Sequence, residues 1–303
     1  MEKRVIDLSE EAASLSVHLG QLLIRRPERE DSVPLEDILA LIVSHPAVHY
    51  THAVLSGICS SGGIFISCND RRMPAGMLLP LDGNFVQAER FAIQAGASLP
   101  VKKNAWKQIV SAKIRAQGCL LAKLNGGDSG LLRLAAQVQS GDSGNLEALA
   151  SRRYWPALFD EKFRRVPGAD NDINRLLNYG YAILRGIVSR AVCAAGLHPC
   201  LGIHHHNRYN SFCLADDLME PYRPCVDKIV HRLVGDFGPG VDLDRDSKSI
   251  LISGLMSAKC RVKKEYLSIF ESTSRLAGSL LSMLEGKKQK LCVPEFRNDK
   301  AKT

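Results

Sequence analysis

Three segments carry polar side chains whose type and spacing could do chemistry. The first is Asp142-Ser143-Gly144-Asn145-Leu146-Glu147-Ala148-Leu149-Ala150-Ser151-Arg152-Arg153-Tyr154-Trp155. On a helix, Leu146, Leu149, Ala150 and Tyr154 share a buried face, and Glu147 lies beside it. The neighbours of Glu147 one turn away are Ser143, Gly144, Ala150 and Ser151, all small. A carboxylate among small side chains leaves room for a metal and a phosphate. A solvated helix glutamate is the plainer alternative.

The second segment is Gly202-Ile203-His204-His205-His206-Asn207-Arg208-Tyr209. Three consecutive histidines cannot point the same way. Between an apolar stretch and turn residues, they are expected on a loop, as ligands or as ordinary structural histidines. The third is Asp216-Asp217-Leu218-Met219-Glu220-Pro221-Tyr222-Arg223-Pro224. Asp217 and Glu220 are three apart and share a helix face. Pro221 and Pro224 lack amide donors, so a kink or a new helix start is expected here, with the carboxylates aimed outward. An acidic helix N-terminus answering the dipole would give a similar pattern.

Two glutamates and one histidine from separate segments make a hard, oxygen-rich donor set. It suits magnesium or manganese better than a structural zinc. Such an ion activates a water or sugar hydroxyl and steadies charge on a phosphate. Two other arrangements compete. His198, Cys200, His204 and His206 are close enough in sequence for a zinc site, although a second thiolate would be usual. Tyr209 beside Arg208 permits a tyrosine-nucleophile recombinase that runs without metal.

The elements that must position these residues divide into two kinds. The first 80 or so residues are strand-rich. Val5 to Leu8 is a short apolar run, Leu15, Val17 and Leu19 alternate with polar neighbours, and Leu22 to Arg26 continues the pattern. Ile38 to Val43 is continuously apolar, as a buried strand would be. Thr51 to Ser60 reads as a helix capped by Thr51. Ile64 to Ile66 and Met77 to Leu81 are further strands. Beyond, apolar spacing turns helical: Trp106, Ile109, Val110 and Ile114, then Ile173, Leu176, Leu177, Tyr181, Leu184 and Val188. A single long last helix is expected through Leu251, Leu255, Ala258, Val262, Tyr266, Ile269, Thr273, Leu276, Leu280 and Leu284. The expected class is α+β: a small N-terminal β-rich domain (1–82), a larger all-α C-terminal domain (83–286) and a flexible charged tail (287–303).

The 303 residues are 45% hydrophobic and 24% charged, a soluble globular composition long enough for two domains. Lys and Arg number 40 against 32 Asp and Glu, a net charge of +8 that favours polyanionic partners. Lys102, Lys103, Lys107, Lys113 and Arg115 fall on one expected helix. Arg152 and Arg153 follow Glu147, and Lys259, Arg261, Lys263 and Lys264 crowd the last helix. Each group is a candidate for phosphate contact or a solvated face. Nine cysteines with no CxxC pair argue against a disulfide framework and for a reducing compartment. With no signal-like start and no apolar run long enough to span a membrane, a cytoplasmic protein is expected.

The motifs resemble the signature of the CRISPR-associated adaptation endonuclease/integrase family, in a form closest to type II systems. Asn145-Leu146-Glu147-Ala148 to Tyr154-Trp155 is similar to its first metal-ligand motif, although Ala148 stands where many relatives have glycine. Gly202-Ile203-His204-His205 resembles its glycine-x-x-histidine motif, which selects His205 from the triplet. Asp217-Leu218-Met219-Glu220-Pro221-Tyr222-Arg223-Pro224 resembles its third motif. Asn174-Arg175-Leu176-Leu177-Asn178-Tyr179-Gly180-Tyr181 resembles the helix between them. The resemblance implies Glu147, His205 and Glu220 as catalytic residues holding Mg2+ or Mn2+, with Asp217 in support or as a further ligand. It implies spacer integration in antiviral defence: short invader-derived double-stranded DNA joined by transesterification to the ends of a CRISPR repeat, with endonuclease activity besides. The implied partners are a second copy of the chain, the small protein Cas2 in a heterohexamer, and the type II effector nuclease. The β-rich domain would supply much of the dimer contact.

Overall fold

A computed structural model describes residues 4–70, 73–80, 86–169 and 172–295. Eight strands come first: β1 (Arg4–Leu8), β2 (Ala13–His18), β3 (Gln21–Arg25), β4 (Glu30–Pro34), β5 (Ile38–Val43) and β6 (Val48–Tyr50), then helix α1 (His52–Ser60), then β7 (Ile64–Cys68) and β8 (Pro74–Leu78). They form two four-stranded sheets, ordered β4-β3-β2-β6 and β1-β5-β7-β8. In the second, β1, β5 and β7 run parallel and β8 pairs antiparallel to β7.

The six apolar residues of β5 are buried on both faces because two cores meet there. Leu41 and Val43 face the N-terminal core, whereas Ala40 and Ile42 face the core of the helical region. Strand β7 divides likewise, Phe65 to one side and Ile64 and Ile66 to the other. A period of two thus welds the sheet to the helices, at roughly 1.5–3 kcal/mol for each large side chain removed from water.

The helical region holds α2 (Gln87–Ala95), α3 (Leu99–Asn125), α4 (Leu131–Gln137), α5 (Leu146–Leu158), α6 (Asp172–Ala194), α7 (Cys213–Met219), α8 (Arg223–Phe237), α9 (Arg245–Ser257) and, after an antiparallel hairpin of β9 (Lys259–Val262) and β10 (Glu265–Ser268), α10 (Ile269–Leu284). Helix α3 packs against α4, α5 and α8, while α6 crosses the β5-β7-β8 face. At that junction Arg190 Nε donates to the Gly62 carbonyl at 2.5 Å, and Tyr179 Oη donates to Asp7 at 3.3 Å. No helix among the described residues is long and apolar enough to cross a membrane.

The α+β class and the β-before-α order stand. Several local expectations change. The single last helix from Leu251 is two helices parted by the hairpin, so the C-terminal region is mostly rather than wholly helical. Cys260, Val262 and Leu267 alternate inward along the hairpin strands, and Lys263 turns the chain with φ 59°. Leu19 leaves its strand for an exposed turn at φ 48°. Thr51 does precede α1 but makes no side-chain cap hydrogen bond. The charged segment from Lys287 is held to the body as far as Glu295: Leu291 is buried, its amide donates to Gln108, and Glu295 bridges to Arg261. The remaining residues of the expected tail, 296–303, and the expected boundary at 82/83 lie outside the described residues.

Candidate active site

Glu147 stands at the second position of α5. Asp142, at φ 52°, caps this helix from outside: Oδ1 accepts from the Leu146 amide at 2.9 Å and Oδ2 from the Glu147 amide at 3.0 Å. A cap of this kind stabilises a helix start by about 1 kcal/mol. It also fixes the Glu147 backbone, so the first turn is rigid where the carboxylate leaves it.

Glu220 follows the last residue of α7. The break expected at the prolines is present: a single 3-10 turn, Glu220–Tyr222, separates α7 from α8, and Pro221 and Pro224 each occupy the first turn of a new helical segment. There a missing amide donor costs nothing. The direction is the reverse of that expected, because Asp217 and Glu220 are 0% and 4% exposed and point inward.

What receives both glutamates is Lys113 of α3. Its Nζ lies 2.5 Å from Glu147 Oε1 and 2.5 Å from Glu220 Oε2. Glu220 Oε1 accepts from Arg223 Nε at 2.8 Å, while Oε2 has no partner of good hydrogen-bond geometry. Burial disfavours the Glu220 charge, and Arg223 and Lys113 more than reverse this, holding its pKa below the usual carboxylate range. Burial likewise works against the Lys113 charge, but Glu220 and Glu147 outweigh it and raise its pKa above the ordinary lysine value. Lys113 belongs to a helix whose basic residues suggested a DNA-facing row. It instead faces the interior and is 8% exposed. Its apolar surroundings, Ala112, Ile114 and Ala116, were the signal in the sequence.

His205 sits on the loop between α6 and α7, with its orientation set by Asp217. Asp217 Oδ1 meets His205 Nδ1 at 2.6 Å and accepts the His205 amide at 3.2 Å, while Oδ2 accepts the amides of Ile203 at 2.7 Å and His204 at 3.0 Å. One buried carboxylate thus gathers three backbone amides and one imidazole. The hydrogen bond to Asp217 is the main cause of a raised His205 pKa. Gly202 is required by this packing, since a Cβ there would collide with the His205 carbonyl and press on Asp217. The other two histidines separate: His204 stacks on Trp106 at 4.0 Å between ring centroids, with burial lowering its pKa, and His206 lines a small recess beside it.

The arrangement brings Glu147 and Glu220 to one nitrogen and leaves His205 within electrostatic reach of Glu220. It does not place Glu147, His205 and Glu220 around one point. Among the described residues no three His, Cys, Asp or Glu side chains are disposed to hold a metal ion together. The same holds for His198, Cys200, His204 and His206, where His198 Nδ1 accepts the Cys200 amide at 3.2 Å. Tyr209 is 79% exposed and contacts its neighbour Arg208. For a hard cation the donor chemistry fits: two carboxylates drawn to one cationic head, and an imidazole whose Nδ1 is taken by Asp217, which leaves Nε2 for a ligand. The positive head of Lys113 occupies the ground between the carboxylates. Beside Glu220 opens a cavity of about 570 Å3 lined by Lys113, Arg165, Arg185 and Arg223.

Residues 7–237 match the family model described as CRISPR associated protein Cas1. The chain is 34% identical over 299 residues to the CRISPR-associated endonuclease Cas1 of Neisseria meningitidis serogroup C (strain 8013), covering 95% of both chains. It is 26% identical over 286 residues to a CRISPR-associated endonuclease Cas1 of Francisella tularensis subsp. novicida (strain U112), covering 86% of this chain and 87% of that one. Among solved structures it resembles a casposase bound to integration product, at TM-score 0.80 and 19% identity over 100% of this chain and 96% of that one. It also resembles a Cas1 protein from Thermotoga maritima, at TM-score 0.75 and 18% identity over 94% and 98%.

Proposed function

The chain belongs to the CRISPR-associated Cas1 family, and from that premise we propose that it is a divalent-metal-dependent DNA endonuclease and integrase of CRISPR adaptation. It joins the 3′ hydroxyls of short invader-derived duplexes to phosphodiesters at the ends of a CRISPR repeat. The observation that carries the proposal is the meeting of Glu147 and Glu220, from α5 and the α7–α8 break, at a single buried nitrogen, beside a histidine locked by Asp217.

Glu147, Glu220 and His205 Nε2 would hold Mg2+ or Mn2+. When bound, the ion lowers the pKa of the attacking hydroxyl and neutralises charge on the phosphorane-like transition state. Asp217 keeps the His205 ring aimed. Asp142 holds the first turn of α5 still. Arg165 and Arg185, lining the cavity beside Glu220, bind and orient the phosphate, and Arg223 keeps the Glu220 carboxylate ionised and turned inward. The incoming 3′ hydroxyl attacks the phosphodiester directly and displaces the target strand's 3′ oxygen, which leaves as a 3′ hydroxyl, so no covalent protein intermediate is needed and Tyr209 has no part in it.

The partners follow from the same premise: a second copy of the chain, with the β-rich domain supplying much of the contact, and Cas2 in a heterohexamer. A further solved structure similar to this chain, at TM-score 0.77 and 18% identity, is a Cas6-RT-Cas1--Cas2 complex. A role for the type II effector nuclease in spacer choice rests on the motif wording around Glu220. The test is strand transfer of a short duplex into a repeat-bearing plasmid with Cas2 added. Chelator should abolish transfer and Mg2+ or Mn2+ restore it. Glu147→Ala should be inactive and Tyr209→Phe active. Metal-independent transfer, or loss with Tyr209→Phe alone, would overturn the reading.

A further inference from the structure

Lys113 is the most confined cation near the site, and neither DNA contact nor simple packing accounts for where it lies. A lysine on a helix surface would keep its ammonium in water. This one passes through the helix packing and ends at 2.5 Å from a carboxylate oxygen of each of two other segments. A buried carboxylate and a half-buried one brought this close repel each other, and one interposed positive charge offsets the repulsion. Glu220 has Arg223 on its other oxygen, but the link from Glu147 to Glu220 runs through Lys113.

We propose that Lys113 is an internal counter-ion: it holds Glu147 and Glu220 together in the metal-free protein, yields their oxygens to the arriving metal, and swings its ammonium into the neighbouring cavity to meet the DNA phosphate. The inference rests on the reading of Glu147 and Glu220 as metal ligands. An ammonium and a divalent cation cannot share two oxygens at close range without severe repulsion, so one must leave as the other enters. Lysine suits the exchange because its compact charge rides on a flexible four-carbon stem, which a planar guanidinium does not offer. It also has somewhere to go. Lys113 already lines the cavity of about 570 Å3 that Arg165, Arg185 and Arg223 border together with the acids Glu220 and Asp227, and the cavity's three guanidinium groups suit a phosphate. A phosphate there draws the ammonium out and frees the carboxylates. Metal and DNA therefore assist each other's binding, by the same factor in both directions.

The test is Mn2+ binding by the full chain, measured by titration for wild type, Lys113→Met and Glu147→Gln. Removing the competing ammonium should tighten Mn2+ binding about tenfold or more, and Mn2+ should raise the unfolding temperature of Lys113→Met further than that of wild type. A short DNA duplex should tighten Mn2+ binding to wild type and have less effect on Lys113→Met. Equal or weaker Mn2+ binding by Lys113→Met, with Glu147→Gln impaired, overturns the exchange while leaving the metal site standing. Wild-type-like binding by Glu147→Gln removes the metal-ligand reading, and the exchange falls with it. Should Lys113→Met not fold, the wild-type protein decides. Acetylation of Lys113 by a water-soluble reagent, followed by mass spectrometry, should rise on saturation with Mn2+, and an unchanged extent overturns the proposal.

Discussion

The Asp217 carboxylate and the His205 ring meet at 2.6 Å, Oδ1 against Nδ1, in a loop that the same carboxylate also pins through three backbone amides. Orientation of the imidazole and folding of the loop are one event, which explains why a fully buried acid is retained here. Asp217→Asn keeps the shape but replaces one acceptor by a donor facing backbone N–H groups. The expected cost is about 3 kcal/mol of stability, together with a 10- to 100-fold fall in metal affinity or strand transfer. Thermal unfolding and a Mn2+ titration of the variant check both. A variant of wild-type stability and affinity would show that the loop is held by something else.

Gly202 makes the same loop possible by having no side chain. Gly202→Ala should push the His205 carbonyl away and loosen the amide cradle of Asp217. A loss of about 2–4 kcal/mol is expected, at the upper end of single substitutions because backbone has to move. Strand transfer should fall with it. Unfolding by denaturant, compared with Gly240→Ala, where a Cβ meets nothing nearby, isolates the effect.

A buried acid outside the proposed ligand set, on the wall of the same cavity, gives a pH dependence. Asp227 of α8 accepts hydrogen bonds from Tyr154 Oη at 2.7 Å and from Tyr181 Oη. Burial dominates and lifts its pKa to about 6, against an ordinary value of 3.8, although both tyrosines, Arg223 and Arg165 pull the other way. Because the folded-state pKa is the higher one, the stabilisation linked to this group is complete below about pH 4 and fades as pH rises through 6. The difference is of order 3 kcal/mol. Asp227→Asn can still bond both tyrosines and has no charge to bury. Its stability relative to wild type should therefore improve between pH 4 and pH 8. A pH-independent difference in unfolding free energy would contradict the assignment.

The β9–β10 hairpin carries Lys259, Lys263 and Lys264 exposed, the last two at its turn. Phosphate contact there would be sequence-blind. Lys263→Glu with Lys264→Glu should weaken duplex binding about tenfold at roughly 0.1 M salt and flatten its salt dependence, with unfolding temperature unchanged. Binding measured by fluorescence anisotropy over a range of salt decides, and an unaltered slope would show the hairpin to be a merely solvated face.

Much of this architecture was legible in the residues. Ile38 to Val43 announces a strand buried on both faces because no polar residue interrupts it, and β5 is shared by two cores. Glu147 among small neighbours, the histidine triplet after a glycine, and two acids just before Pro221 mark the site segments. Three features were hidden for physical reasons. Lys113 hid because a lysine amid Lys102, Lys103, Lys107 and Arg115 looks solvated, and its two partners are 34 and more residues away in sequence. The inward aim of Asp217 and Glu220 hid because proline breaks tell where a helix stops, not which way the next side chain points. The hairpin hid because four-residue strands show too little alternation to compete with apolar residues that fall by chance at helical spacing. Val262, Tyr266 and Ile269 fall at helical spacing, yet Tyr266 is exposed on β10 and Ile269 opens α10.

Metal ligation by Glu147, Glu220 and His205 is tested most directly by the anomalous-scattering map of a crystal of the protein grown with Mn2+. The expected result is one strong peak bounded by Glu147, Glu220 and His205 Nε2, with Lys113 Nζ withdrawn toward Arg165 and Arg185. A peak ligated by other residues, or Lys113 still bridging the two glutamates at saturating Mn2+, would contradict it.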